Sequence, residues 1–202
     1  MKALNGESLT TENYTAYDRA LDEQEMRQMP MYEKAETYFD TLMAEGYEVA
    51  AYPHSAQPEN GAAGTKHAVA TVDSQAVKDF CKANSVTEST FFMTIVGQTL
   101  HRLLREDDLL FTSITNGRMT PEMHNIIGMF VQTLPVISHV AKGTVIDAMR
   151  KQQEQYIQTQ ENSIMPYTKV VEKYAVKSEI MFAFQGGAGT LLEKNEDEAK
   201  YA

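Results

Sequence analysis

Residues 125–140 read NIIGMFVQTLPVISHV, and this stretch constrains the fold more than any other. Its Ile, Phe, Val and Leu are those of a buried strand. Yet Gln132 and Thr133 interrupt the apolar run, and Pro135 removes a backbone donor. Proline cannot donate to a ladder, so such a strand belongs at a sheet edge or a bulge rather than in a fully paired central position. Its polar side chains then need partners of their own.

The remainder supplies a sheet for that strand. Residues 10–45 form two helical stretches broken near Pro30, the second with Tyr32, Ala35, Tyr38, Phe39 and Leu42 at helical spacing. YPHSAQPENGAAGTK, 52–66, has no periodicity and reads as a crossover. HAVATV is expected to be a short strand, followed by a helix capped by Asp73 or Ser74 with Val77 and Phe80 inward. The helix over 87–106 carries a wide stripe of Phe91, Phe92, Ile95, Val96, Leu100, Leu103 and Leu104, suited to packing on a sheet. DLLFTSIT is a strand ended by Asn116-Gly117; Thr144 caps the next helix, Pro166 opens a short one, and EIMFAFQ is a long strand. Such an order fits an α/β fold in two layers, a mixed sheet with helices packed on one face, better than a regular βαβ array.

Composition excludes several functions. With 28 acidic against 18 basic residues the net charge is −10, which leaves no basic footprint for nucleic acid. No run is long and apolar enough for a membrane span, no secretory h-region is present, and Cys81 is the sole cysteine; a cytoplasmic protein is expected. The histidines (His54, His67, His101, His124, His139) lack metal-site spacing, so no metal is expected. QGGAGT, 185–190, lacks the ending of a phosphate loop, and Cys81 in an amphipathic helix reads as a buried thiol.

Thr112-Ser113-Ile114-Thr115-Asn116-Gly117-Arg118 is richer. Alternation puts Ser113 and Thr115 on one face near the strand's end, where hydroxyls either line a polar channel or serve as ordinary strand formers.

The run LLFTSITNGRMTPEMHNIIGMFVQTLPV resembles the strand, "GR" turn and "IGxFVNTLPLR" motif of nonribosomal peptide synthetase condensation domains, members of the chloramphenicol acetyltransferase-like superfamily. QYIQTQENSIMPYTKVVEKY is similar to that family's "HQDLPFEQLV" segment, and IMFAFQ to its "VMFVLQN" strand. Gln132 stands where the family usually has Asn, Ile137 where it often has Arg, and Gly186 where it often has Asn.

The resemblance implies the C-terminal lobe of such a domain: a helical lead-in over 1–51, the crossover over 52–66, an α/β lobe over 67–186 and a tail over 187–202. It implies amide-bond formation between carrier-bound acyl or peptidyl and aminoacyl thioesters. Phosphopantetheine arms of carrier proteins would bring the substrates, and no directly bound cofactor is implied. The family's HHxxxDG motif does not occur, so no catalytic residue is assigned here and the chain alone is expected to be inactive. Arg118 matches the arginine that pairs with the Asp of that motif; without it, Arg118 is expected to be exposed or paired with a local acceptor. The expected channel-lining set is Ser113, Thr115, Gln132 and Gln185. Expected partners are the missing N-terminal lobe and carrier proteins, with self-association through an uncovered lobe face. Alternatives are an epimerisation or acyltransferase member of the superfamily, a non-catalytic recruiting module, or an unrelated acidic binding domain.

Overall fold

A computed structural model of the chain describes residues 6, 14–52, 67–118 and 120–186. The crossover core (53–66) and the tail from 187 onward lie outside the described residues. The elements in order are α1 (Ala16–Met26), α2 (Pro30–Met43), β1 (Glu48–Val49), α3 (Ser74–Asn84), α4 (Glu88–Leu104), β2 (Asp108–Thr115), a 3-10 helix (Pro121–Asn125), β3 (Gln132–His139), α5 (Val145–Glu161), α6 (Tyr167–Tyr174) and β4 (Met181–Phe182).

Helix starts follow local chemistry. Pro30 opens α2, where its missing N–H costs nothing. Asp73 caps α3 by accepting from the amides of Gln75 and Ala76, both at 3.0 Å. Thr144 and Asp147 form a reciprocal capping box on α5, as Thr15 and Asp18 do on α1.

β2 is the axis of a mixed sheet. β3 runs antiparallel along one side, with Thr112 opposite Pro135 and Thr115 opposite Gln132. On the other side β1 and β4 lie end to end, both parallel to β2, pairing with Leu109–Leu110 and Thr112–Ser113 respectively. The Thr112 amide donates to Ile180 O at 3.0 Å, on the β4 side. The Thr112–Pro135 pair is therefore a non-hydrogen-bonded one, and the proline nitrogen points away from β2, to the side of β3 that pairs with no other described strand. The expected edge placement of Pro135 is observed.

The mixed sheet with packed helices is as expected, but helices cover both faces rather than one. Leu110 and Ile137 meet Ala35, Phe39 and Leu42 of α2 together with Met165, Val170 and Val176. Leu109, Phe111 and Val136, on the alternate positions, meet Met93 and Leu100 of α4 with Ala50 and Ile180. Because Ile137 enters the first of these clusters, an apolar residue is required there. α5 joins the layers: Tyr38 of α2 hydrogen-bonds Thr159 at 2.7 Å, and Gln153 accepts from the Thr87 amide ahead of α4 at 2.8 Å.

Two expected strands need correction. HAVATV pairs with no strand among the described residues, and residues 67–72 are exposed. EIMFAFQ yields only the two paired residues of β4, after which Phe184 leaves the sheet to stack on Phe92 at 6.0 Å.

Candidate functional site

Two turns and a strand end meet beyond the C-terminal end of β2. Gly117 adopts φ +64°, and a Cβ there would lie 1.8 Å from Phe130 O, so only glycine lets the two backbones approach this closely. This turn delivers Arg118 into the following loop. Its Nη1 donates to the carbonyls of Met123 and of Ile126, the latter at 2.9 Å, and Nη2 donates to Gly128 O at 3.3 Å. The guanidinium also lies 4.6 Å from the centre of the Phe130 ring, and the Arg118 amide donates to Asn116 Oδ1 at 3.1 Å. Arg118 thus has local acceptors, the second of its two expected fates. Met123 and Ile126 are buried beneath the same loop.

Those carbonyl contacts also correct the sequence reading of 125–140 as one strand. Ile126 and Gly128 present their carbonyls to Arg118, the chain bends at Gly128, and pairing with β2 begins only at Gln132.

Of the four expected lining residues, three lie together. Thr115 and Gln132 are cross-strand partners, and Gln160 of α5 donates to Thr115 Oγ1 at 3.3 Å. Gln132 Oε1 is buried without a hydrogen-bond partner, a costly state for a carbonyl oxygen. Ser113 is near but sealed: it is 1% exposed beneath Tyr156, whose hydroxyl donates to Ile114 O at 3.2 Å and lies 3.4 Å from Ser113 Oγ. It lines no open surface, a correction to its expected role. Burial pushes the Tyr156 hydroxyl above its ordinary pKa, keeping it a neutral cover. Gln185 is exposed, three residues past the end of β4. A Cβ on the adjacent Gly186 would stand 2.6 Å from the Phe184 ring, so that stacked ring excludes a larger residue.

One arrangement escaped the sequence reading. His101 Nδ1 lies 2.7 Å from Glu106 O, which can only accept, so Nδ1 carries the proton and Nε2 accepts from Ser138 Oγ at 3.2 Å. A serine so placed resembles an activated nucleophile, but Ser138 is 1% and His101 5% exposed, under Gly97 of α4. The pair pins α4 to the sheet. The signal for it was the small residue Gly97 one turn ahead of His101 on the helix. His139 stands between Asp108 (Nδ1–Oδ1 2.5 Å) and Glu45 (Nε2–Oε2 3.4 Å), tying strand ends to the turn after α2. Burial holds the Cys81 thiol above its ordinary pKa, consistent with a packing role. Among the described residues no cluster of His, Cys, Asp and Glu could hold a metal, and no helix is long and apolar enough to cross a membrane.

Among the described residues the arrangement therefore offers neither an accessible nucleophile–base pair nor a metal centre. It offers a rigid polar rim, a carbonyl-clamped arginine loop and a threonine, with a buried amide oxygen that lacks a donor beside it.

Known proteins share this frame. The first condensation domain of the CDA synthetase superposes with a TM-score of 0.67 at 15% identity, covering 90% of this chain and 42% of that one. The condensation domain of the Monacolin K polyketide synthase MokA also gives 0.67 at 15% identity, with 90% and 44% covered. The nonribosomal peptide synthetase ungA of Aspergillus violaceofuscus (strain CBS 115571) is 28% identical over 127 residues, 59% of this chain and 1% of that protein. Bacitracin synthase 1 of Bacillus licheniformis is 28% identical over 107 residues, 52% of this chain and 2% of that protein. The chain thus spans less than half the length of these solved domains and a few per cent of these curated relatives. The family model of the condensation domain matches residues 1–201, and this chain belongs to the condensation-domain family.

Proposed function

We propose that this chain is the C-terminal lobe of a nonribosomal peptide synthetase condensation domain and forms one wall of its reaction channel. The amine of a carrier-bound aminoacyl thioester attacks the carbonyl carbon of an upstream acyl or peptidyl thioester. The C–N bond forms, the C–S bond breaks, and the proton lost by the amine leaves with the departing thiol. Such a reaction depends on holding two phosphopantetheine arms in line and on stabilising the oxyanion, more than on a nucleophile of the protein.

The observation that carries this reading is the clamped loop running directly from Arg118 into Gln132. It fixes the strand end where Thr115 and Gln132 meet. There the buried Gln132 oxygen lacks a donor, and a turn of its side chain toward the channel would let it accept an N–H from a pantetheine amide or the incoming amine. Arg118 positions this rim. The other lobe supplies HHxxxDG, whose second histidine handles or orients the proton.

The test pairs this chain with the HHxxxDG-bearing lobe and two loaded carrier proteins, and follows amide product by mass spectrometry. The chain alone is expected to give none, and the completed domain to give product. In the completed domain, Gln132→Ala is expected to lower kcat/KM about 5–10-fold, the worth of one hydrogen bond. A completed domain that binds both carriers yet forms no amide would point to the recruiting module instead.

A further inference from the structure

α4 and α5 have the same length, 17 residues, and hold to the rest of the molecule in different ways. α4 buries Met93 and Leu100 in the cluster of Leu109, Phe111 and Val136, and Val96 and Leu104 pack against it. α5 brings Met149 to one cluster and the half-buried Tyr156 to the edge of another. Its other buried residues are Gln152 and Thr159, while Val145 and Ile157 face solvent. Hydrogen bonds do the rest. Gln153 accepts from the Thr87 amide and donates to Ser85 O at 3.2 Å, Gln152 donates to Ile137 O at 3.4 Å, and Thr159 meets Tyr38. Tyr156 and Gln160 reach Ile114 O and Thr115 Oγ1. Water takes over such bonds nearly one for one, so each has a modest net worth, whereas buried apolar area has no replacement in solvent. An element held mainly in the first way separates from the body of a protein at lower free energy than one held in the second.

We propose that α5 is a detachable cover, which lifts as a unit and takes Tyr156 off Ser113 and Gln160 off Thr115 while α4 and the β2–β3 pair stay in place. The turn 142–144, which joins α5 to the end of β3, is exposed and can follow it without uncovering apolar surface. Lifting turns the sealed hydroxyl of Ser113 into an open one beside Thr115. That this widens a reaction channel rests on the function proposed above; the lifting itself does not.

Two measurements on the full chain test it. In native-state hydrogen exchange, the amides of 149–160 are expected to exchange together, about tenfold or more faster than those of α4 and β2. Exchange of α5 in step with α4 would overturn the proposal. In a Cys81→Ala background, the thiol introduced by Ser113→Cys is expected to react with iodoacetamide about tenfold faster than that introduced by Thr112→Cys, on the opposite face of the same strand. The two positions are 1% and 3% exposed, so a fixed α5 gives equal rates, and equal rates would also overturn it. Gln153→Ala removes both bonds to the turn before α4 and touches no rim residue. It is expected to speed both readouts several-fold and leave α4 exchange unchanged; acceleration of α4 by the same factor would show that α5 opens only when the whole molecule unfolds. Neither readout depends on amide formation by the completed domain, so the two proposals fail separately.

Discussion

At the scale of single residues, Gly117 and Arg118 decide the shape of the rim, and Gly97 decides how closely α4 seats on the sheet. Gly117 combines a left-handed φ of +64° with a backbone oxygen where a Cβ would stand. Gly117→Ala is expected to cost about 2 kcal/mol or more, from the left-handed penalty plus displacement of Phe130. Urea denaturation measures it, and a loss under about 0.5 kcal/mol, the scatter typical of neutral surface changes, would contradict this account. At Gly97 a Cβ would lie 2.3 Å from Ser138 Oγ. What each glycine has to clear is not legible in sequence, because that neighbour lies elsewhere along the chain. Arg118 was legible as a motif member. Its three carbonyl partners were not, since their placement depends on the bend at Gly128 and the 3-10 turn.

At the scale of elements, helices were easier to read than strands. α2, α3, α4 and α5 carry their own evidence in stripes and caps, because helical hydrogen bonds are internal to the segment. A strand exists only by its partner, and composition cannot name that partner. HAVATV has strand-like residues and no paired strand among the described residues, whereas Glu48–Val49, in a segment with little strand character, is paired with β2. The cap of α5 gives a test at this scale. Thr144→Ala is expected to cost about 1 kcal/mol. Hydrogen bonds from the Thr144 side chain, then from its backbone, hold the Asp147 carboxyl below its ordinary pKa. A depressed carboxylate stabilises the fold above its unfolded value, about 3.9, and that contribution is lost as pH falls through the lower folded value. Melting temperature against pH should therefore drop less steeply below pH ~4 for Asp147→Asn than for the parent chain.

At the scale of the whole molecule, tyrosines couple the layers and set the alkaline limit. Burial, then the hydrogen bond to Asp40, pushes the Tyr174 hydroxyl up to about 12, and burial raises Tyr38 and Tyr156 as well. A raised folded pKa means stability that is complete below the unfolded value, near 10, and lost as pH rises through the folded one. Unfolding followed by circular dichroism should show a plateau up to pH ~10 and a fall from there towards ~12. Tyr174→Phe should make that fall shallower; an identical profile would count against the assignment.

The end-to-end seating of β1 and β4 along one side of β2 has a consequence for synthesis on the ribosome. The amide of Thr112 finds its acceptor in Ile180 O, so β2 emerges long before its second neighbour has been translated. At about 5–20 residues per second, this bond has to wait on the order of several seconds. Throughout that interval the nascent chain offers a half-paired strand edge to any other extended segment nearby, and protection by a chaperone would matter most between the appearance of β2 and that of Met181.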